Sequence, residues 1–401
     1  MNLSRRHLLR ACAALAGFGL APGFLSRALA QPRPKTLVVL FLRGGVDGLS
    51  LVPPVADPLL ASLRPALRLL PSTSTGDDAA LRLDSHFGLH PALAPLLPLY
   101  TAGKLAIVHA VGQQAASRSH FEAQDFLESG TPGARSNDGW LNRAVGQLPG
   151  EPAPLRAVAV QSRLPLSLVG NANAIAFNAL KDFRVGSAGS PFEALYAQAV
   201  DLALRGAGGD AFDTMATLDG QQLSQARPHH GAVYPQGALG RRLQDVARLI
   251  HADLGLQVCA TEAGGFDTHL GQGAGKGPLA TRFKELGSAL AAFAVDLGPR
   301  LDDVCVVTMT EFGRTVRENG SRGTDHGTAS ALFVLGGSVK GGKVHGDWPG
   351  LAKLHEGRDL KVTTDIRQVL AEVLVGHLGL HDGAAAFPGF DSKASQMRLF
   401  G

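Results

Sequence analysis

Apolar runs rich in β-branched residues recur along the chain, at residues 35–42, 104–110, 155–160, 256–261 and 331–335, and again from Val304 onward. They are short, apolar throughout rather than alternating, and bounded by turn-forming residues, which predicts strands buried on both faces. Between them the period changes to that of a helix. Residues 240–254 place Leu243, Val246, Leu249 and Ile250 on one face, and residues 282–297 and 365–380 read the same way. Further helices are predicted at 86–97 and 191–205. Another starts at Ser119, where Ser119 and Glu122 have the spacing of a capping box. Strand–helix–strand order of this kind predicts an α/β fold: a mostly parallel sheet with helices on both faces.

The first thirty residues stand apart. Ser4-Arg-Arg-His-Leu-Leu-Arg10 precedes an alanine- and glycine-rich apolar stretch, and Ala28-Leu-Ala30 offers a small-residue cleavage site before Gln31. Paired arginines ahead of a weakly hydrophobic core resemble a twin-arginine signal, so the expected partner is the twin-arginine export machinery and the expected location periplasmic or secreted. Residues 31–401 are then expected to form one domain, with an elaboration at about 150–235 that shapes access. No segment of this mature part approaches the length of a membrane span.

Charge follows the same division. The formal net charge is +4, but the leader holds four arginines and no acid, leaving 34 basic and 34 acidic residues beyond it. That balance argues against nucleic-acid binding, which calls for a basic stripe. Of three cysteines, Cys12 lies in the leader, while Cys259 and Cys305 sit inside apolar runs and are expected to be buried thiols, with a bridge open to them if their strands are neighbours.

The candidate chemistry lies where strands end. Arg43-Gly-Gly-Val-Asp47 follows the first strand. Glu262-Ala-Gly-Gly-Phe-Asp-Thr-His269 follows another, and Glu311-Phe-Gly-Arg314 follows the strand from Val304. Asp325 and His326 come next, between glycines. In open α/β sheets ligands collect outside the carboxyl ends of the strands. Carboxylates grouped there with imidazoles suit Zn²⁺, Mn²⁺ or Mg²⁺. The expected metal set is Asp47, Glu262, Asp267, His269, Glu311, Asp325 and His326. The glycine-rich turn after the first strand lacks the G-x-G-x-x-G fingerprint of dinucleotide sites.

The ordered motifs Arg43-Gly-Gly-Val-Asp-Gly-Leu, Arg118-Ser-His-Phe-Glu-Ala-Gln, Gly264-Gly-Phe-Asp-Thr-His, Thr310-Glu-Phe-Gly-Arg and Gly323-Thr-Asp-His-Gly resemble the domain of unknown function 1501 family. That family is grouped with the alkaline phosphatase and sulfatase superfamily, so the resemblance implies an alkaline phosphatase-like fold and a two-metal site. It implies Asp47 as the aspartate after the first strand, Glu262 and Asp267 as an acid pair, His269 as the histidine that follows, Glu311 as a later acid and His326 as the last metal histidine. Phe312 stands where the superfamily has a histidine. Ser119 is the best-placed nucleophile and Ser117 the next, with His120 a possible ligand. Arg43, Arg118 and Arg314 would bind anionic ester oxygens.

The function expected on these grounds is an exported metal-dependent hydrolase of phosphate or sulfate esters, with Ser119, Arg43 and Arg314 acting on a small anionic ester. The alternative is a non-catalytic periplasmic or cell-surface binding protein whose site has eroded.

Overall fold

A nine-stranded sheet forms the centre of the molecule. The computed structural model describes residues 33–115, 117–134, 136–150, 153, 155–182, 223–391 and 397–401. The leader, the helix expected at 191–205 and much of the expected elaboration lie outside the described residues. The strands are β1 (Thr36–Leu42), β2 (Leu105–Gly112), β3 (Ala157–Val160), β4 (Ile175–Phe177), β5 (Val258–Ala263), β6 (Val304–Met309), β7 (Ser330–Gly336), β8 (Val344–His345) and β9 (Thr364–Asp365). Their spatial order is β8-β2-β7-β6-β1-β5-β3-β4, with β9 also paired to β2.

All pairings are parallel except those of β7, which runs against both β2 and β6. The carboxyl ends of β1, β2, β5 and β6 therefore share one rim with the amino end of β7. A residue just ahead of β7 reaches the same place as residues just after the others. The site is built on that reversal.

The apolar runs became strands because both faces of the sheet are covered. Along β1, Val38, Leu40 and Leu42 join one hydrophobic layer while Leu37, Val39 and Phe41 join the other. The main helices are α1 (His120–Ser129), α2 (Trp140–Gln147), α3 (Ala238–His251), α4 (Pro278–Leu297) and α5 (Ile366–Gly376). Helices α3 and α4 bury Leu243, Val246, Phe283 and Leu290 on the first layer. Helices α2 and α5 bury Trp140, Val369 and Leu374 on the second. No helix among the described residues is long and apolar enough to cross a membrane.

Two local expectations give way to other structures. Residues 86–97 form a short strand, then a 3-10 helix over Pro91–Leu96, then a helical turn over Leu97–Thr101. Pro91, Pro95 and Pro98 remove amide donors and crowd the preceding turn, which an α-helix across this stretch does not tolerate. Helix α1 does begin after Ser119, but the Ser119 side chain makes no capping bond. Glu122 instead accepts from Ser117 Oγ at 2.8 Å, and that same oxygen accepts from the Ser119 amide at 3.1 Å.

Cys259 and Cys305 are buried free thiols. They flank β1 on its two sides, Cys259 level with Val38 and Cys305 level with Leu37, so they face opposite layers and no bridge joins them.

Candidate metal centre

Four loops meet at the rim. The Gly44–Gly45 turn after β1 has positive φ at both glycines, 117° and 68°. A side chain on Gly44 would press to 2.6 Å from the backbone nitrogen of Asp267, so glycine lets the β1 and β5 loops lie against each other. The Glu311-Phe-Gly-Arg314 loop follows β6, and Arg314 bridges to His326 as the chain returns toward β7. Helix α1 delivers His120 from its first turn.

His120, Asp267 and His326 place their ligating atoms within 4.8 Å of one another, and His269 lies beside Asp267 and His326. The separations are 3.5 Å for His120 Nε2 to Asp267 Oδ2, 3.2 Å for His326 Nε2 to Asp267 Oδ1, 3.0 Å for His269 Nε2 to Asp267 Oδ1 and 2.9 Å for His269 Nε2 to His326 Nε2. Two ligands on one four-coordinate zinc sit about 3.3 Å apart, which these values bracket.

The ring orientations carry more than the distances. Each histidine commits Nδ1 to an oxygen: His120 to Glu311 Oε1 at 2.8 Å, His269 to Asp325 Oδ1 at 3.0 Å and His326 to the Arg118 carbonyl at 2.8 Å. Such oxygens only accept, so each Nδ1 donates to its oxygen and each ring turns its Nε2 toward Asp267. Histidines that bind metals are held in this manner by carboxylates and carbonyls behind them. His120 Nε2 is buried with no hydrogen-bond partner. The donor set, three imidazole nitrogens and a carboxylate, suits a borderline cation such as zinc.

The electrostatics favour the metal-ready protonation states. Burial opposes ionisation of Asp267, but Arg314 and His269 outweigh it and hold the carboxyl below its usual range. Burial lowers the pKa of His326, favouring the neutral ring. Asp325 is also depressed: desolvation is overcome by the Asn319 hydrogen bond and by His269. Phe312 forms an apolar wall, its ring 4.8 Å from those of both His120 and His326.

The expected site residues divide into three groups. Asp267, His269 and His326 meet, together with His120. Glu311 and Asp325 lie one step behind, as acceptors for histidine Nδ1 atoms. Glu311 also takes the Gly44 amide at 2.9 Å and the Gln124 amide group at 3.0 Å. Asp47 and Glu262 are engaged by arginines. Asp47 Oδ2 accepts from Arg64 Nη1 at 2.5 Å and from Gln272 at 2.7 Å, at full burial, and Arg64 overcomes desolvation to hold its pKa down. Glu262 Oε2 accepts from Arg43 Nε at 2.5 Å.

The three arginines differ in the same way. Arg43 also binds Gln124 and Glu128, and Arg118 is held at 2.6 Å by both Glu356 and Asp359. Arg314 is buried, and burial lowers its pKa despite Asp267. Its Nη2 stands 2.9 Å from Asp267 Oδ1 as an ion pair, yet none of its three nitrogens has an aligned hydrogen-bond acceptor among the described residues. Ser119 is exposed and immediately precedes His120.

Arg64, Gln272 and Gln124 carried no signal in the sequence, because each meets its partner through a long-range contact and no spacing marks it. His120 had one: it opens a helix after a strand, one residue beyond a serine.

A mostly parallel α/β sheet with imidazole and carboxylate groups gathered at its strand ends defines the class of protein. Within that class, the chain belongs to the family described as protein of unknown function (DUF1501), which it matches over residues 34–386. No curated protein matches it by sequence. Among solved structures it is similar to the C-terminal periplasmic domain of EcEptC from Escherichia coli in complex with Zn, at 10% identity and TM-score 0.37, covering 76% of this chain and 73% of that one. It is also similar to the PsFucS1 sulfatase from Pseudoalteromonas sp., at 10% identity and TM-score 0.41, covering 92% and 72%.

Proposed function

We propose that this protein is an exported, metal-dependent hydrolase of phosphate or sulfate esters. The observation that carries the reading is the convergence of three Nε2 atoms on Asp267, each ring fixed through Nδ1. His120, Asp267, His269 and His326 would hold one ion, zinc by their chemistry. One ion per chain is the expected number, because Asp47 and Glu262 are already paired with Arg64 and Arg43. A bound cation would supply Lewis-acid charge to the ester oxygens and acidify a neighbouring hydroxyl.

The protein's own groups would do the rest. Ser119 Oγ gives up its proton to solvent, bonds to phosphorus or sulfur, and displaces the alcohol, which leaves with a proton from water. Water then cleaves the serine ester and frees phosphate or sulfate. Arg314, ion-paired with Asp267, adds positive charge to meet the charge that builds on the oxygens. The paired arginines in the leader support export by the twin-arginine route to the periplasm or beyond.

The second reading, a non-catalytic binding protein, draws support from Arg43 and Arg118, whose guanidinium groups are already tied to carboxylates. One experiment separates the two. Mature protein is analysed for metal, loaded with zinc and assayed on a panel of aryl phosphates and sulfates, beside Asp267→Asn and His326→Ala. Zinc-dependent turnover lost in both variants supports the hydrolase. Stoichiometric zinc with no turnover supports the binding protein, and absence of any bound metal overturns the hydrolase.

A further inference from the structure

Behind His326 stands a carboxylate that no strand-end motif marks. Asp359 is fully buried, on a turn over 355–359 whose two ends exchange backbone hydrogen bonds, His355 N to Asp359 O at 2.8 Å and Asp359 N to His355 O at 2.9 Å. The turn is fastened to the rim, where the Val316 amide donates to the Arg358 carbonyl at 3.2 Å. Asp359 lies between two arginines. Its Oδ2 accepts from Arg118 Nε at 3.1 Å and from Arg118 Nη2 at 2.6 Å, and its Oδ1 stands 3.6 Å from Arg358 Nε. Each arginine holds a different part of His326. The Arg118 carbonyl accepts from the ring Nδ1 at 2.8 Å, and Arg358 Nη2 donates to the backbone carbonyl of His326.

The Arg118 carbonyl needs such an anchor. Residues 117–119 belong to no helix or strand, so no backbone ladder fixes that peptide. Two charge-assisted bonds to one buried oxygen do so through the side chain. Arg118 is also two residues ahead of His120, so the same tie bears on where α1 begins. Glu356 meets Arg118 Nη2 at 2.6 Å as well, but its side chain is 59% exposed and such pairs contribute little. We infer that Asp359 is a positioning residue of the metal centre: by gripping the Arg118 side chain it holds in place the carbonyl that turns His326 Nε2 toward Asp267. Asp359 touches none of the ligating atoms itself. The inference rests on the metal-centre reading and adds to it a residue outside every strand-end motif.

The test compares mature wild-type protein with Asp359→Asn, Arg118→Ala and the double variant, beside Glu356→Gln. Zinc affinity is read against a competing chelator. The absorption bands of the cobalt(II)-loaded protein report the geometry around the ion, and melts in chelator show that each sample is folded. Asp359→Asn should weaken zinc binding about 10- to 100-fold and shift the cobalt bands. Arg118→Ala should do the same because it cuts the same link, so the double variant should lose no more than either single one. Glu356→Gln should stay within about threefold of wild type. A lowered Tm in Asp359→Asn, with zinc affinity within about threefold and cobalt bands unmoved, makes the buried pair a matter of stability alone and overturns the proposal while the metal centre stands. Losses that multiply in the double variant break the route through Arg118 and overturn it too. The Arg118 side chain is 32% exposed, so Arg118→Ala decides the question if Asp359→Asn does not fold. Wild-type protein that holds neither zinc nor cobalt overturns the metal centre and this inference with it.

Discussion

Glu311 Oε1 accepts a hydrogen bond from His120 Nδ1 at 2.8 Å while being buried and, among the described residues, facing no lysine or arginine in an ion pair. It also accepts hydrogen bonds from the Gly44 amide, Gln124 and Thr310. The side chain thus ties the turn after β1 and the first residue of α1 to the end of β6, and turns Nε2 of His120 toward Asp267. Glu311→Gln keeps the size but weakens the acceptor. It should lower zinc affinity about 10- to 100-fold with little change in Tm of the metal-free protein. Zinc titration with a competing chelator reads the first quantity, and a melt in chelator reads the second.

Zinc should stabilise the folded chain. Binding at a concentration 100 times Kd adds about 2.7 kcal/mol, a Tm rise of several degrees for a protein of this size. The rise should vanish in His326→Ala and Asp267→Asn. A rise of the same size in either variant would place the ion elsewhere.

Asp47 makes a different prediction. It forms a buried pair with Arg64, at 2.5 Å and 1% exposure on both sides. Asp47→Ala leaves the Arg64 charge buried and unpaired, which should cost about 3 kcal/mol or more and leave the zinc content at one per chain. Lost zinc with unchanged Tm would instead put Asp47 on the cation. Chemical denaturation and metal analysis of one preparation give both answers.

Acid should weaken the fold through histidines outside the centre. Burial pushes the pKa of His90, His109 and His377 down to about 4, and each ring bonds a backbone carbonyl, of Ala274, Val52 and Thr36 respectively. The unfolded chain therefore takes up these protons first, near the ordinary histidine value of about 6.5. The contribution is complete above that pH and is lost as pH falls toward 4, at up to about 3 kcal/mol for each ring. Melts in chelator between pH 7 and 4.5 should show a falling Tm, with a shallower slope in His377→Gln.

The strands were legible in the sequence because burial on both faces leaves an unbroken apolar run, as in β1 and β6. The edge strands β8 and β9, two residues each, leave no such trace. The helix expected at 86–97 failed for a local reason visible in hindsight, its three prolines. At the site, the meeting of Asp267, His269 and His326 at one rim was legible from glycine-flanked motifs after or before strands. Spacing gave no means to tell that Glu311 and Asp325 would face the Nδ1 side of His120 and His269. It also gave no warning of Arg64 or of Arg43 with Glu262, since those ion pairs form only when distant segments fold together.

The lone reversed strand, β7, has a consequence for how such a centre can change. In a wholly parallel sheet each loop reaching the rim must travel the length of the sheet and back before the next can contribute. Here the chain leaves β6 at Glu311 and re-enters at Ser330 without crossing the sheet, so Arg314, Asp325 and His326 hang on one continuous rim segment. Insertions within 319–322, where the segment is exposed or half-buried, therefore remodel the rim while the strands that anchor either end of the segment stay where they are.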